Sequence, residues 1–144
     1  MAGYRKVLVL LDLAEGSERV FAAARDIAAY SNADIVALHV VEFLPAEPMG
    51  ESFLPSQIDL ERSLTERAKP QLEDMAKRYG TPSTRARVEA GNTKANILKV
   101  AEEEKPDLIV LGSRERHGLA VLVNFTEDTV LHAAHCDVLA VRLS

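Results

Sequence analysis

Four short, nearly continuous apolar runs, spread along the chain, constrain its fold more than any other feature. They are residues 6–11, 35–41, 108–111 and 138–141. None of them alternates strictly between apolar and polar residues, which is the pattern of strands buried on both faces of a parallel sheet. Because such a sheet needs helices on both faces, the sequence predicts an α/β protein.

Segments with apolar residues at helical spacing separate these runs. In the first segment an apolar face follows Ser17, which we expect to be the N-cap of a helix. In the second, the face extends over residues 60–79 and ends before Gly80, a helix stop signal. Pro70 lies inside this segment and lacks a backbone N–H, so we expect a bend there.

Two further helices and one more strand complete the pattern. Residues 91–93 open a third helix and residues 105–106 close it, while Asn124 and Glu127 have the spacing of a capping box at the start of a fourth. Residues 84–89 alternate, which is typical of a half-exposed strand near a sheet edge. Strand and helix therefore alternate throughout, which predicts a doubly wound sheet with right-handed crossovers.

Composition and length exclude several classes of protein. The 144 residues include 17 Lys and Arg against 22 Asp and Glu, so the net charge of −5 gives no field that attracts nucleic acid or anionic lipid. No segment approaches the ~18 apolar residues of a membrane span. A lone Cys136 cannot form an internal disulfide and suits a reducing compartment. We expect one cytoplasmic domain, residues 1–144, that binds neither nucleic acid nor membrane.

The ends of the first and fourth strands are the candidate ligand site, because doubly wound sheets bind ligands beyond the carboxyl ends of their strands. Asp12 follows the first strand, and Gly112, Ser113 and Arg114 follow the fourth. A carboxylate beside a loop rich in N–H and cationic groups suits the ribose and phosphates of a nucleotide. The alternative is a capped loop with no ligand, which we favour since the Rossmann and P-loop glycine motifs are both absent from the sequence.

Metal binding and catalysis receive less support. His132, His135 and Cys136 have a spacing and chemistry that suit zinc, but no fourth ligand accompanies them, and histidine near a helix end is also explained by the helix dipole. His39 lies inside the apolar second strand, where a hydrogen-bonded core histidine is the favoured interpretation. No nucleophile and base can be paired, so we predict neither a metal site nor a catalytic residue.

Five segments, in order along the whole chain, resemble the universal stress protein family. They are residues 7–13, residues 38–40, Gly91, residues 106–114 and residues 136–141. The resemblance implies a five-stranded parallel sheet of order 3-2-1-4-5 with helices on both faces. It also implies a homodimer formed around the last strand and a role in stress survival without a known reaction.

One branch of that family binds ATP through the motif G-x-x-G-x9-G-[ST] after the fourth strand. The positions that would bind a nucleotide in this chain are Asp12, Val40, Gly112, Ser113, Arg114 and Thr126. However, Glu115 stands at the second glycine and Phe125 at the third, which places a carboxylate against phosphate and a ring where glycine permits close approach. The chain is therefore more similar to the universal stress protein A type, which lacks the motif.

These observations predict a homodimer without a cofactor that acts through an unidentified protein partner and catalyses no reaction. The last strand is apolar on both faces and lies at a sheet edge, which needs a covering partner. The expected interface residues are Val138, Leu139, Ala140, Val141, Arg142 and Leu143. The alternative is an ATP- or AMP-binding sensor with at most slow hydrolysis.

Overall fold

The computed structural model describes residues 3–42, 53–113, 130 and 133–143. Its elements follow in the order β1 Lys6–Leu10, α1 Ser17–Ser31, β2 Asp34–Glu42, α2 Phe53–Tyr79, β3 Arg85–Gly91, α3 Thr93–Glu104, β4 Leu108–Ser113 and β5 Asp137–Arg142. Each apolar run of the sequence is a strand, and the strand boundaries lie within a few residues of the predicted ones.

The five strands form one sheet in the order β3-β2-β1-β4-β5, with every neighbouring pair parallel. This confirms the predicted fold class and strand order, and it confirms β3 as an edge strand. Strand β1 lies in the centre, where Val9 is level with Ala37 of β2 and with Val110 of β4. The chain order reverses at β1 and β4, so the sheet has its topological switch point between them.

Successive residues of β1 point into two different cores. Val7 and Val9 face a cluster that includes Phe21 of α1 and Leu72 of α2, while Leu8 faces the cluster on the α3 side. All three β1 side chains are fully buried. Burial on both faces explains why the strand sequences do not alternate, since each such side chain contributes about 1.5–3 kcal/mol when removed from water.

The helix ends agree with the sequence signals at α3 and differ at α1. Asn92 caps α3 by accepting a hydrogen bond from the backbone N–H of Ala95 at 2.9 Å, and Lys105 closes the helix in a left-handed conformation, as predicted. At α1 the N-cap is Gly16, with a φ of 98°, and Ser17 is already the first helical residue. The prediction that Ser17 is the N-cap is therefore wrong.

Helix α2 is longer than the sequence pattern predicts. Its 27 residues begin at Phe53 rather than near position 60, and it continues through the exposed Pro70 to end at Tyr79. The bend expected at Pro70 stays a prediction. Of the predicted fourth helix, Val130 and Ala133 are helical, and the capping box at positions 124 and 127 lies outside the described residues.

A cluster of ion pairs ties the edge strand β3 to α3 and β1. The Glu104 carboxylate, whose side chain is 11% exposed, accepts hydrogen bonds from Lys6 at 3.2 Å, Arg85 at 2.6 Å and Arg87 at 2.9 Å. Burial by itself would raise the pKa of Glu104, but the hydrogen bonds from these three cations outweigh it and lower the pKa to about 2. The carboxylate therefore remains ionised in the folded protein far below neutral pH.

We expect Glu104→Gln to lower the free energy of unfolding at pH 7 by about 1.5–3 kcal/mol, because it removes the charged acceptor shared by three cations. Glu104 has a folded pKa of about 2 against an ordinary 4.5. Its contribution is therefore complete above pH 4.5 and is lost as the pH falls towards 2. Urea unfolding measured stepwise from pH 7 to pH 3 checks both the size and the pH dependence.

The control for this experiment is Glu102→Gln, since Glu102 is exposed and belongs to none of the ion pairs found among the described residues. It should change stability by less than about 0.5 kcal/mol. If the two variants behave alike, the Glu104 cluster does not stabilise the β3 edge.

Candidate functional site

The carboxyl ends of β1, β2 and β4 lie side by side at the same end of the sheet, beside the switch point. Asp12 follows β1, Val40 lies near the end of β2, and Gly112 and Ser113 end β4. The structure thus brings these four of the six predicted nucleotide positions to the same end of the sheet. Arg114 and Thr126 lie outside the described residues, as do Glu115 and Phe125.

Asp12 closes the turn that leads from β1 into α1. Its side chain is exposed, and its Oδ1 accepts hydrogen bonds from the backbone N–H of Ala14 at 2.9 Å and from Oγ of Ser17 at 3.0 Å. Ser17 is only 4% exposed. The hydroxyl that was expected to cap the helix instead donates to the carboxylate, which explains why Gly16 takes the N-cap position.

The same turn contains a residue in an unfavourable conformation. Leu13 has a φ of 61°, in the left-handed region that costs a non-glycine residue roughly 1–2 kcal/mol. Its side chain packs against the core cluster on the α1 side, and the Asp12 hydrogen bonds span it. These contacts offset the backbone cost, so the turn depends on Asp12 for its shape.

His39 joins β2 to the end of β1. Its Nδ1 lies 2.7 Å from the carbonyl oxygen of Leu11, one residue beyond β1, and its side chain is half-buried. A carbonyl oxygen only accepts, so Nδ1 carries the proton and donates it. The structure confirms the predicted hydrogen-bonded histidine, and the bond holds the backbone where β1 enters the candidate site.

Gly112 lies where β4, α1 and the residue after β5 come close together. A Cβ atom at this position would lie 2.8 Å from Cδ1 of Leu143 and 3.1 Å from Cγ2 of Val20. The backbone N–H of Leu143 also donates to the carbonyl oxygen of Ser113 at 2.9 Å. Packing within the chain therefore offers a reason for glycine at this position that needs no ligand, and sequence analysis missed it because Leu143 is 31 residues away.

The residues proposed for zinc do not form a site in the described part of the chain. His135 is exposed and Cys136 is half-buried, while His132 is outside the described residues. Burial, followed by the nearby carboxylates of Asp137 and Asp107, raises the pKa of the Cys136 thiol and so disfavours the thiolate that a metal requires. Over residues 3–42, 53–113, 130 and 133–143, no group of three or more His, Cys, Asp or Glu side chains is arranged to hold a metal ion.

The predicted interface strand presents its residues unequally. Val141 is 9% exposed and packs in the α1-side core, and Leu139 is partly buried against that core. Val138 is partly buried on the opposite face, while Ala140 and Arg142 are exposed. Ala140 is therefore the residue in the middle of β5 that is accessible to a partner.

Comparison with known proteins agrees with this architecture. A model of the universal stress protein family matches residues 3–142. The chain is 36% identical over 145 residues to "Universal stress protein A homolog 2" of Coxiella burnetii, an alignment that covers 99% of this chain and 98% of that protein. The described part of the chain contains no helix that is long and apolar enough to cross a membrane.

Solved structures share the fold. The universal stress protein UspA from Lactobacillus plantarum matches with a TM-score of 0.77 and 27% identity, covering 99% of this chain and 100% of that one. A universal stress protein crystallised in complex with cAMP matches with a TM-score of 0.65 and 24% identity, covering 97% of this chain and 98% of that one. At this level of identity the second likeness concerns the fold alone.

We expect Asp12→Ala to lower the free energy of unfolding by about 1–2 kcal/mol, because it removes the acceptor for Ala14 and for the buried Ser17 hydroxyl. Asp12→Asn, whose amide oxygen can still accept both bonds, is the matched control and should retain most of the stability. Urea unfolding of the two variants measures the difference, and equal stabilities for Asp12→Ala and the unmodified chain would show that the Asp12 hydrogen bonds do not stabilise the turn.

Proposed function

The chain belongs to the universal stress protein family, and from that premise we propose that it is a cytoplasmic homodimer that acts through protein contacts and needs no nucleotide. Family resemblance supports the protein-contact role. The difference between the two edges of the sheet supports the homodimer and is the observation that carries the proposal.

The β3 edge is protected against pairing with another strand. Arg87 points to the α3 side, where it donates to Glu89 at 3.2 Å, Glu103 at 2.9 Å and Glu104 at 2.9 Å. Charged side chains that point inward at a sheet edge disfavour the addition of a further strand, because pairing would bury them. This edge is therefore a poor candidate for a subunit interface.

Within residues 3–42, 53–113, 130 and 133–143, no ion-pair cluster like that of Arg87 is found at the β5 edge. Between Asp137 and Arg142 its residues are uncharged, and it is the last strand in the order of the sheet. Val138 and Leu139 lie at the rims of the two cores and are only partly buried. A second copy of β5 would pair the outer backbone groups and cover both rims, and a two-fold axis achieves this with one self-complementary surface.

Contacts within the chain support function without a nucleotide. One carboxylate oxygen of Asp12, Oδ1, accepts from both Ala14 and Ser17, and the space beside Gly112 is filled by Leu143. A nucleotide that bound Oδ1 or approached Gly112 would have to compete with these contacts. In the sequence, Glu115 adds a negative charge where phosphate would bind.

The second candidate is a nucleotide-dependent sensor. One universal stress protein of the same fold is known in complex with cAMP, and the corresponding edge of this chain carries Asp12, Val40, Gly112 and Ser113. Arg114 and Thr126, outside the described residues, complete the set that would bind ATP or AMP. We regard this as the alternative because two glycines of the ATP motif are replaced.

We expect Ala140→Glu to convert the dimer into a monomer. Ala140 is exposed at the middle of β5, and a two-fold axis near it would bring two new carboxylates together in an apolar contact. Sedimentation velocity at micromolar concentration measures the change. Val141→Glu is a poorer test, because Val141 is 9% exposed within one chain and the charge would disrupt its core.

Two controls accompany that variant. Ala140→Ser changes the size of the side chain little and adds no charge, so it should remain dimeric, as should Ala90→Glu on the β3 edge. A monomeric unmodified protein would refute the homodimer, whereas a dimeric Ala140→Glu would place the interface elsewhere.

Calorimetry with ATP, AMP and cAMP should show no binding tighter than millimolar, which corresponds to about −4 kcal/mol. The reason is the loss of the phosphate cradle at Glu115 and Phe125. Glu115→Gly should raise the affinity for ATP if the rest of the site is intact. A micromolar dissociation constant for the unmodified chain, about −8 kcal/mol, would favour the sensor instead.

A further inference from the structure

Gly112 belongs to the candidate site, and Leu143 directly follows the proposed interface strand, yet the two residues are in contact. Cδ1 of Leu143 occupies the space in which a side chain at position 112 would lie, 2.8 Å from the ideal Cβ position. Cγ2 of Val20 in α1 is also close to this Cβ position, at 3.1 Å, and Val20 is 3% exposed. The edge strand and the candidate site therefore meet at one glycine.

Backbone hydrogen bonding reinforces this contact. Strand β5 pairs with β4 as far as the match between Arg142 and Ser113, and the N–H of Leu143 then donates to the Ser113 carbonyl oxygen at 2.9 Å. The last hydrogen bond described for this strand pair is thus made by the residue whose side chain rests on Gly112. A shift of Leu143 that reaches its backbone would break this bond, which holds the end of β5 on β4.

We propose that the Gly112–Leu143 contact couples the candidate site to the β5 edge, so that a change of shape at position 112 alters the affinity of the dimer. The proposal rests on the homodimer proposed above. Added bulk at position 112 pushes Leu143 away, the end of β5 frays, and fewer ordered backbone groups are available for the partner. Coupling is reciprocal, so dimer formation in turn restrains the backbone where β4 leaves the sheet.

A double-mutant cycle tests the coupling. Gly112→Ala should weaken the dimer about tenfold or more, and Leu143→Ala should weaken it several-fold, as is common for residues in contact. The double variant Gly112→Ala with Leu143→Ala should dimerise no worse than Leu143→Ala, since the Leu143 atom that would lie 2.8 Å from the new Cβ is gone and only the looser Val20 contact at 3.1 Å remains. If Leu143 acted only as an interface residue, the effect of Gly112→Ala would instead persist in the double variant.

Gly80→Ala is the control for general destabilisation. A Cβ at Gly80 would lie 2.5 Å from the carbonyl oxygen of Ala76 and 2.6 Å from Oγ1 of Thr84, so this glycine is more tightly enclosed than Gly112 but precedes the β3 edge. Gly80→Ala should lower the thermal midpoint and leave the dimer dissociation constant unchanged. An equal loss of dimer in Gly80→Ala and Gly112→Ala would mean that general destabilisation, and not coupling, weakens the dimer.

Hydrogen exchange of the residue 143 amide provides a readout that does not depend on the dimer. Gly112→Ala should speed this exchange about tenfold or more, since it breaks the bond to Ser113. A monomeric unmodified protein would refute the proposed homodimer and, with it, the coupling to the dimer. The exchange rate would then still show whether the residue at position 112 controls the position of Leu143.

Unchanged exchange and unchanged dimer affinity in Gly112→Ala would overturn the inference. A double variant that behaves like Gly112→Ala would also overturn it. If Gly112→Ala does not fold, an undiminished dimer in Leu143→Ala overturns it.

Discussion

Burial of β1 on both faces is the constraint on which the rest of the structure depends. Val7 and Val9 need cover on one side and Leu8 on the other, and the strand is paired along both edges by β2 and β4. Helices must therefore occupy both faces, and parallel crossovers supply them. The same arrangement leaves two outer strands and one switch point, so the edges and the candidate site are consequences of how the central strand is buried.

Local signals in the sequence were sufficient to predict the helices and strands, but they were insufficient to predict the contacts at the candidate site. Helix α3 begins after Asn92 and ends before Lys105, as predicted, because the hydrogen-bond partners of these two residues lie within four residues along the chain. Ser17 was misassigned because a hydroxyl that suits a helix cap found a tertiary partner in Asp12. The Gly112–Leu143 contact was invisible for a similar reason: it joins distant residues, and a glycine at a strand end is explained equally well by packing and by a ligand.

The three best-defined groups at the candidate site are all bound by the chain itself. Asp12 holds the β1–α1 turn, His39 holds the Leu11 carbonyl, and Gly112 receives Leu143. Two of them, Asp12 and Gly112, stand at positions where relatives with the ATP motif would bind a nucleotide, and here their contacts are within the chain. A family pattern identifies where such residues lie, and only their contacts indicate what they do in a particular chain.

The ion pairs around Glu104 also give the two sheet edges different responses to heat. Dehydrating a charged group costs less as temperature rises, whereas the stabilisation from apolar burial levels off. The β3 edge, linked through Glu104 to Lys6 and Arg87, thus gains relative to the β5 edge, whose residues between Asp137 and Arg142 are uncharged and mostly pack on the two cores. On warming, separation of strands should begin at β5, where a partner subunit would do most to delay it.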